Sequence, residues 1–262
     1  MITNRTIYKT EAIVLSALDY GESDRIVSFY SADFGKIKGI AKGAKKSRHR
    51  FVNVLEPFTN VSLLFSQRHM GTLAFIEGCS VLEHYASLRA DLFSSLLASY
   101  LVELVDRFTL EGKQGLDLFA LLSKFLLLLT NANGDGERFV RIFEMKFLRL
   151  MGYAPQLDRC VKCQMPIEEN NNALQFDPIG GGVRCPHCQE EDTPLLLCSA
   201  GALKTIALGV KIDIDKVEHL FFSAAIAQEC ERVLAAFIRH LLGRELRSRE
   251  VLRQVKRLQS WG

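Results

Sequence analysis

Gly35-Lys36-Ile37-Lys38-Gly39-Ile40-Ala41-Lys42 is the stretch on which the fold turns. Successive side chains of a β-strand point to opposite faces, so Lys36, Lys38 and Lys42 share one face with Ile40 among them. Ile37, Gly39 and Ala41 share the other, which suits the inside of a barrel. The segments around it have the same texture. Glu11–Leu18, Arg25–Tyr30, Asn60–Phe65 and Thr72–Gly78 are short and rich in β-branched or aromatic residues. Turn signals separate them at Asp19-Tyr20-Gly21, Asp33-Phe34-Gly35 and Gln67-Arg68-His69. Five short strands within residues 1–80 predict a small closed barrel of the OB type, with an SH3-like barrel as the second choice.

The lysine face continues into a glycine-rich basic loop, Gly43–Arg50. Lys36, Lys38, Lys42, Lys45, Lys46, Arg48 and Arg50 are not interrupted by an acidic residue between Asp33 and Glu56. The whole chain carries a formal charge of only +3, so the distribution says more than the total. A block of like charge needs an anionic partner, counterions or open solvent. A phosphate track for nucleic acid is one reading, and a solvated edge strand whose lysines discourage aggregation is the other. Single-strand binding by such barrels usually adds aromatic stacking. Phe29, Tyr30, Phe34 and Phe51 are the candidates, with Phe51 preferred because it follows the basic loop directly.

After Gly78 the apolar period becomes helical. Leu92-Phe93, Leu96-Leu97, Tyr100-Leu101, Leu104-Val105 and Phe108 recur at three and four residues, and Leu116–Thr130 and Glu137–Met151 repeat the pattern. Gly112–Gly115 and Asn131–Gly136 are breaks. Ser199 reads as the N-cap of a helix over Ala200–Leu208. Ala224–Leu242 is a further amphipathic helix that Gly243 ends. In the last helix Arg249, Arg253 and Lys256 share a face opposite Leu252, Val255 and Leu258. That face is a second basic surface or an ordinary solvated one.

Gly152–Leu197 carries Cys160-Val161-Lys162-Cys163 and Cys185-Pro186-His187-Cys188, with the polar stretch Glu168–Asn172 between them. Two CxxC turns can place four thiolates tetrahedrally around one zinc ion, although the gap is slightly longer than usual. Two disulfides or coincidence are the alternatives. Four sulfurs leave no position for water or substrate, so a structural Zn2+ held by Cys160, Cys163, Cys185 and Cys188 is expected, in a small module between helices. The other cysteines, Cys79, Cys198 and Cys230, are scattered and do not suggest a disulfide framework.

Other chemistry is poorly supported. No GxxxxGK[ST], HExxH or GxSxG motif occurs, and the six histidines are dispersed. Asp19, Glu22 and Asp24 could hold magnesium as in a nuclease, but their setting is that of a hairpin turn. The N-terminus lacks the apolar core of a signal peptide, and no long uncharged apolar run is present, so a cytoplasmic protein is expected. The expected organisation is α+β and multidomain. A DNA-binding barrel (1–80) precedes a mostly helical part (81–152), an embedded four-cysteine zinc module (153–197) and a C-terminal helical part (198–262).

These residues also carry a resemblance. Glu11-Ala12-Ile13-Val14-Leu15, Tyr20-Gly21-Glu22-Ser23-Asp24-Arg25-Ile26, Gly35-Lys36 and Ala41-Lys42-Gly43-Ala44 resemble the opening of the bacterial RecO recombination-mediator family. Arg149–Cys160 looks like that family's approach to its zinc module, and Arg247-Ser248-Arg249-Glu250-Val251-Leu252 like its C-terminal motif. The resemblance implies an OB-fold, a helical remainder and a zinc module. It implies a role in RecF-pathway DNA repair: binding single- and double-stranded DNA, annealing complementary strands, and helping to load RecA onto strands coated with single-strand-binding protein (SSB), together with RecR. No nucleotide hydrolysis and a cytoplasmic, nucleoid-associated location go with that role. A protein adaptor whose basic surface binds acidic tails instead of DNA is the alternative. Annealing brings two polyanions together, so Lys36, Lys38, Lys42, Lys45, Lys46, Arg48, Arg50 and Phe51 are expected to serve one strand. Arg249, Arg253 and Lys256 are expected to serve the other.

Overall fold

The fold is described from a computed structural model, covering residues 6–67, 72–112, 115–132, 134–167, 174–188 and 194–259. Arg68 and His69 of the expected turn, and the polar stretch Glu168–Asn172, lie outside these residues. The chain divides into two compact units. One is Met1–Ala132 with Leu246–Gly262, and the other is Asn133–Glu245.

The first unit is built on strands β1 (Thr6–Tyr20), β2 (Asp24–Ser31), β3 (Gly35–Ala41), β4 (Asn60–Gln67) and β5 (Ala74–Glu83). They form one mixed sheet in the order β1-β2-β3-β5-β4, and β4 pairs back onto β1 so that the sheet closes. β1 is longer than its sequence pattern suggests because it serves two partners. Thr6–Ile13 pairs with β4, while Ala12–Tyr20 pairs with β2 across an irregularity between Val14 and Ser16. The β3–β5 junction is parallel and short, Gly39 opposite Ala74 and Ile40 opposite Phe75. Gly39 makes that approach possible, since a Cβ there would collide with Ile76 and sit 3.1 Å from the Ala74 carbonyl oxygen.

The interior holds Val14, Val27, Phe29, Ile37, Ala41, Val61, Leu63, Phe65, Ala74 and Ile76, all buried. Tyr8, Phe34 and Phe65 close one end as a cluster of rings with centroids 5.3–5.4 Å apart. Helices α1 (Ala86–Ala90), α2 (Leu92–Phe108) and α3 (Leu116–Thr130) follow, and α2 and α3 pack on β1 and β2. Asp91 caps α2 by accepting the Ser94 N–H at 2.7 Å.

The second unit contains α4 (Gly136–Leu150), β6 (Leu174–Asp177), β7 (Gly182–Arg184), β8 (Leu196–Cys198), α5 (Ala200–Lys211) and α6 (Ala224–Leu242). α4 packs against α5 and α6, and the three short strands make a sheet in the order β7-β6-β8. Ser199 caps α5 by accepting the Ala202 N–H at 3.1 Å, and Gly243 ends α6 in the left-handed conformation at φ 69°. The final helix, α7 (Arg247–Gln259), belongs to the first unit, where it packs on α2. Among the described residues no helix is long and apolar enough to cross a membrane.

Candidate nucleic-acid interface and metal centre

Alternation along β3 runs as the sequence requires: Ile37, Gly39 and Ala41 are buried, and Lys38 and Lys42 are exposed. Lys36 departs from the expected lysine row. Its Nζ lies 2.9 Å from Asp106 Oδ1 on α2, with both side chains 13% exposed. It also donates to the carbonyl oxygens of Asp106 and Thr109, and Ser16 Oγ donates to Asp106 Oδ2 at 3.3 Å. The helices cover this part of the outer sheet surface, and a lysine caught there must be paired. Lys36 is therefore a tie between sheet and helix, not part of a phosphate track.

The basic loop is ordered by short-range polar interactions. Asp24 Oδ1 accepts the Gly43 N–H at 2.8 Å, and the Lys45 N–H donates to the Ser23 carbonyl at 2.9 Å. Ser47 Oγ accepts the N–H groups of Arg50 and Phe51, each at 3.0 Å. Lys45 Nζ reaches Asp19 Oδ2 at 3.2 Å, and Arg25 Nε reaches Asp19 Oδ1 at 3.2 Å. The β1–β2 hairpin tip is thereby held against the basic turn. Lys42, Lys45, Lys46, Arg48 and Arg50 remain exposed.

Phe51 does not project toward a ligand. It is 5% exposed and lies in the sheet core, with the Arg50 guanidinium 4.5 Å over its ring. Following a basic loop directly does not decide where a ring points, and burying an aromatic ring releases much apolar surface from water. Phe29 is also fully buried, and Phe34 belongs to the ring cluster with Tyr8 and Phe65. Tyr30 is 3% exposed, with its hydroxyl donating to the Gly115 carbonyl.

The acidic trio does not form a cation site. Asp19 is engaged by Arg25 and Lys45, while Asp24 accepts from Gly43 and Ser23. A hydrogen bond from the Lys45 ammonium pulls the Asp19 carboxyl down, and the Gly43 N–H does the same for Asp24. These carboxylates shape the loop.

The expected face of α7 is also redrawn. Arg249 is 8% exposed and lies on the buried side of the helix with Leu252, and Lys256 is half-buried. Arg253 is exposed. The reason is that α7 docks on α2 through this face. Glu103 of α2 accepts the backbone N–H groups of Arg247 and Ser248 and the Ser248 hydroxyl, at 3.2, 2.8 and 2.6 Å.

In the second unit the cysteines of both CxxC turns converge. The sulfurs of Cys160, Cys163, Cys185 and Cys188 all lie within 4.8 Å of one another. Cys163 and Cys185, one from each turn, are 3.6 Å apart. Zinc–sulfur bonds of about 2.3 Å in a tetrahedron put the sulfurs about 3.8 Å apart, so this donor set fits such an ion. Local hydrogen bonds shape the first turn: Gln164 N–H to Cys160 O at 3.0 Å and Cys160 N–H to Met165 O at 2.9 Å. Cys160 Sγ accepts the N–H groups of Lys162 and Cys185 at 3.4 Å.

Burial opposes ionisation of Cys160, but N–H groups from Cys163, Cys185 and Lys162 outweigh it and bring the thiol down to about 6. Its neighbours move the other way. Burial raises Cys185, and the hydrogen bonds that the Cys188 thiol donates to Cys163 and Cys185 hold its proton and push Cys188 up to about 12. Four thiolates cannot share so small a volume without a cation to neutralise them. The supporting hairpin is stiff: Asp177, fully buried, accepts N–H groups of Ile179 and Gly180 at 2.9 Å and the Arg184 Nε–H at 2.7 Å.

Sequence reasoning missed Phe75, whose ring carries the Lys42 ammonium 5.1 Å from its centroid. Nothing local to Phe75 signals this, because the pair meets only through the β3–β5 junction.

Comparison with known proteins gives a consistent result along the chain. Residues 5–85 match the family model "Recombination protein O N terminal", and residues 89–250 match "Recombination protein O C terminal". The chain is 43% identical over 259 residues to a DNA repair protein RecO of Syntrophus aciditrophicus, covering 98% of this chain and 99% of that protein. It is 35% identical over 249 residues to a protein of the same name from Geobacter metallireducens, covering 95% and 98%. Identity to another from Symbiobacterium thermophilum is 33% over 247 residues, covering 94% and 96%.

Proposed function

Because the chain belongs to the recombination protein O family over nearly its whole length, we propose that it is a non-catalytic mediator of DNA repair and homologous recombination. It binds single- and double-stranded DNA, anneals complementary strands, and with RecR helps load RecA onto SSB-coated strands. No step consumes a nucleotide. The closed sheet is read as an OB-type barrel, and the protein works in the cytoplasm at the nucleoid. The functional division follows residues 1–80 for DNA, 81–152 and 198–262 for helical support, and 153–197 for the metal module.

The observation that carries the DNA reading is the uncovered cationic surface of β3 and its loop in a chain whose relatives are named for DNA repair. Lys38, Lys42, Lys45, Lys46, Arg48 and Arg50 supply exposed cations, and each phosphate they neutralise releases condensed counterions. A basic surface that screens two polyanions lowers the barrier to their pairing. Arg253 of α7, with the half-buried Lys256, adds a second cationic position within the same unit.

Cys160, Cys163, Cys185 and Cys188 hold one Zn2+, which supplies a closed structural crosslink between the two CxxC turns. Cys160 and Cys185 anchor the crosslink from the buried side, while Asp177 and Arg184 keep the hairpin in register. Cys160→Ser should release the metal to a chromogenic chelator and unfold the module, with DNA binding by the first unit retained. A metal-free yet fully folded module would remove the structural role.

The test of function is annealing of two complementary strands precoated with SSB, in the absence of ATP. Acceleration by the protein supports mediation. Acceleration of bare strands only would limit it to simple annealing. No DNA binding at all would transfer the cationic surface to an acidic protein tail.

A further inference from the structure

The four cysteines of the metal centre are not equivalent. Cys160 and Cys185 are buried, Cys188 is half-buried, and Cys163 is exposed. Cys160 Sγ is enclosed further, because it accepts the N–H groups of Lys162 and Cys185. Cys163 ends the first CxxC turn, and Lys162, Gln164 and Met165 around it are exposed as well. One cysteine of the set is therefore open to solvent, and a sulfur of the other turn is close to its own: Cys185 Sγ lies 3.6 Å away.

A free cysteine in water is mostly protonated at neutral pH, whereas a metal-ligated one stays a thiolate, the form that attacks oxidants. Zn2+ has no redox chemistry, so electrons lost from such a centre come from sulfur. An exposed ligand is thus the nucleophile of an otherwise closed site. Cys198 and Cys230 are buried in the same unit and offer an oxidant no such access. Sulfurs in a disulfide are about 2.05 Å apart, so Cys163 and Cys185 must close by about 1.6 Å, which rotation of a side chain on an exposed turn can supply. The base of the module is held by bonds that need no metal. Gln156 N–H donates to Gly181 O at 3.0 Å, and Val183 N–H to Gln156 O and Val161 N–H to Val183 O each at 2.9 Å.

Resting on the zinc reading above, we infer that Cys163 is a peroxide-modification site, through which the metal crosslink is exchanged reversibly for a Cys163–Cys185 disulfide. The Cys163 thiolate attacks one peroxide oxygen, the O–O bond breaks, and hydroxide leaves, giving the sulfenic acid. The Cys185 thiolate then attacks the Cys163 sulfur, the S–O bond breaks, and a second hydroxide leaves. Each hydroxide takes a proton from solvent. Two thiolates, one hydrogen peroxide and two protons give one disulfide and two waters, and two electrons pass from sulfur to oxygen. Cys160 and Cys188 alone are too few donors to keep the ion. The disulfide ties the same two turns that the metal tied, so the oxidised module stays closed, unlike that of Cys160→Ser. Reduction restores the ligand set.

The test starts with the zinc content of the purified full chain, expected at about one ion per chain. Hydrogen peroxide is then added beside a chromogenic chelator, and peptides are mapped without reduction. Zinc should leave in step with formation of the Cys163–Cys185 disulfide, and a phosphine reductant with added Zn2+ should restore the bound ion. Circular dichroism should keep the folded signal throughout. Cys163→His keeps four donors, as Cys3His sites do, and should slow release at least about tenfold. Met165→Leu removes the exposed thioether beside this turn and should release zinc at the unmodified rate. If Cys163→His fails to hold zinc, the peptide map of the unmodified protein decides by itself. Zinc that stays bound under peroxide, or that leaves with oxidised sulfurs other than Cys163, would overturn the modification site while leaving the structural metal intact. A chain that holds no zinc even after zinc is added would remove the metal reading, and this site with it.

Discussion

Lys36 and Lys38 are two residues apart on one strand, point to the same face, and have opposite fates. Lys36 is closed under α2 and paired with Asp106, while Lys38 stands in solvent. The strand treats them alike, and the helices do not. A β-strand decides which face a side chain takes, whereas only the packing of later elements decides which part of that face stays open. The same contrast recurs on α7, where Arg249 is buried on the side that meets α2 and Arg253 is left outside.

The sharpest way to break the comparison is to remove each lysine in turn. Lys36→Ala leaves Asp106 in a mostly closed site without its cation, and should cost about 3 kcal/mol of stability in a denaturant titration. Lys38→Ala should be within about 0.5 kcal/mol of the unmodified protein and should weaken DNA binding instead. If both act only on DNA affinity, Lys36 is not a tie.

Next in size is the loop. Replacing Lys42, Lys45 and Lys46 together by Ala should lower single-strand affinity by one to two orders of magnitude at low salt. The slope of log affinity against log salt should fall by about two, at roughly 0.7 for each phosphate no longer neutralised. An unchanged slope would mean that these lysines never meet phosphate.

The α7 pair extends the comparison at a smaller scale. Arg249→Ala should cost about 1–2 kcal/mol in thermal unfolding, because its buried stem no longer packs against its surroundings. Arg253→Ala should leave stability alone and reduce the salt slope by less than one unit. Equal effects on both readouts would erase the distinction between the two sides of the helix.

The smallest effect concerns acid. Asp24 holds the start of the basic loop, and its carboxyl is lowered first by the Gly43 N–H and then by Ser23. A carboxyl lowered in the folded state contributes its anchoring above the ordinary aspartate range and loses it as pH falls through the lowered value. The Gly43 amide should therefore stay protected from hydrogen exchange at neutral pH and lose protection only in acid below the ordinary aspartate range. Asp24→Ala should remove that protection at any pH.

Much of the fold is legible in the residues themselves. The alternation in Gly35–Lys42 shows in the observed burial of β3, and the apolar period around Leu92–Phe108 marks a helix with the same limits. Ser199 and Gly243 act as the cap and the stop their residue types suggest. The two CxxC turns meet as their spacing requires. Phe51 misleads because adjacency in sequence is not adjacency to a ligand. Phe75 escapes notice because its partner Lys42 lies beside another strand, reached through a parallel junction that no turn connects. The buried side of α7 is hidden because a basic helix shows no sign of which of its arginines a neighbour will cover.

The sequence by itself determined local periods, caps, turns and the two cysteine pairs that converge, because each depends on residue types at short, fixed spacings. Only the tertiary structure decided that β1 serves two partners, that α7 returns to the first unit, and that Lys36 is enclosed. Those outcomes depend on strand register and on which apolar face finds a partner, and burial energy summed over the whole unit selects among alternatives that look equal locally.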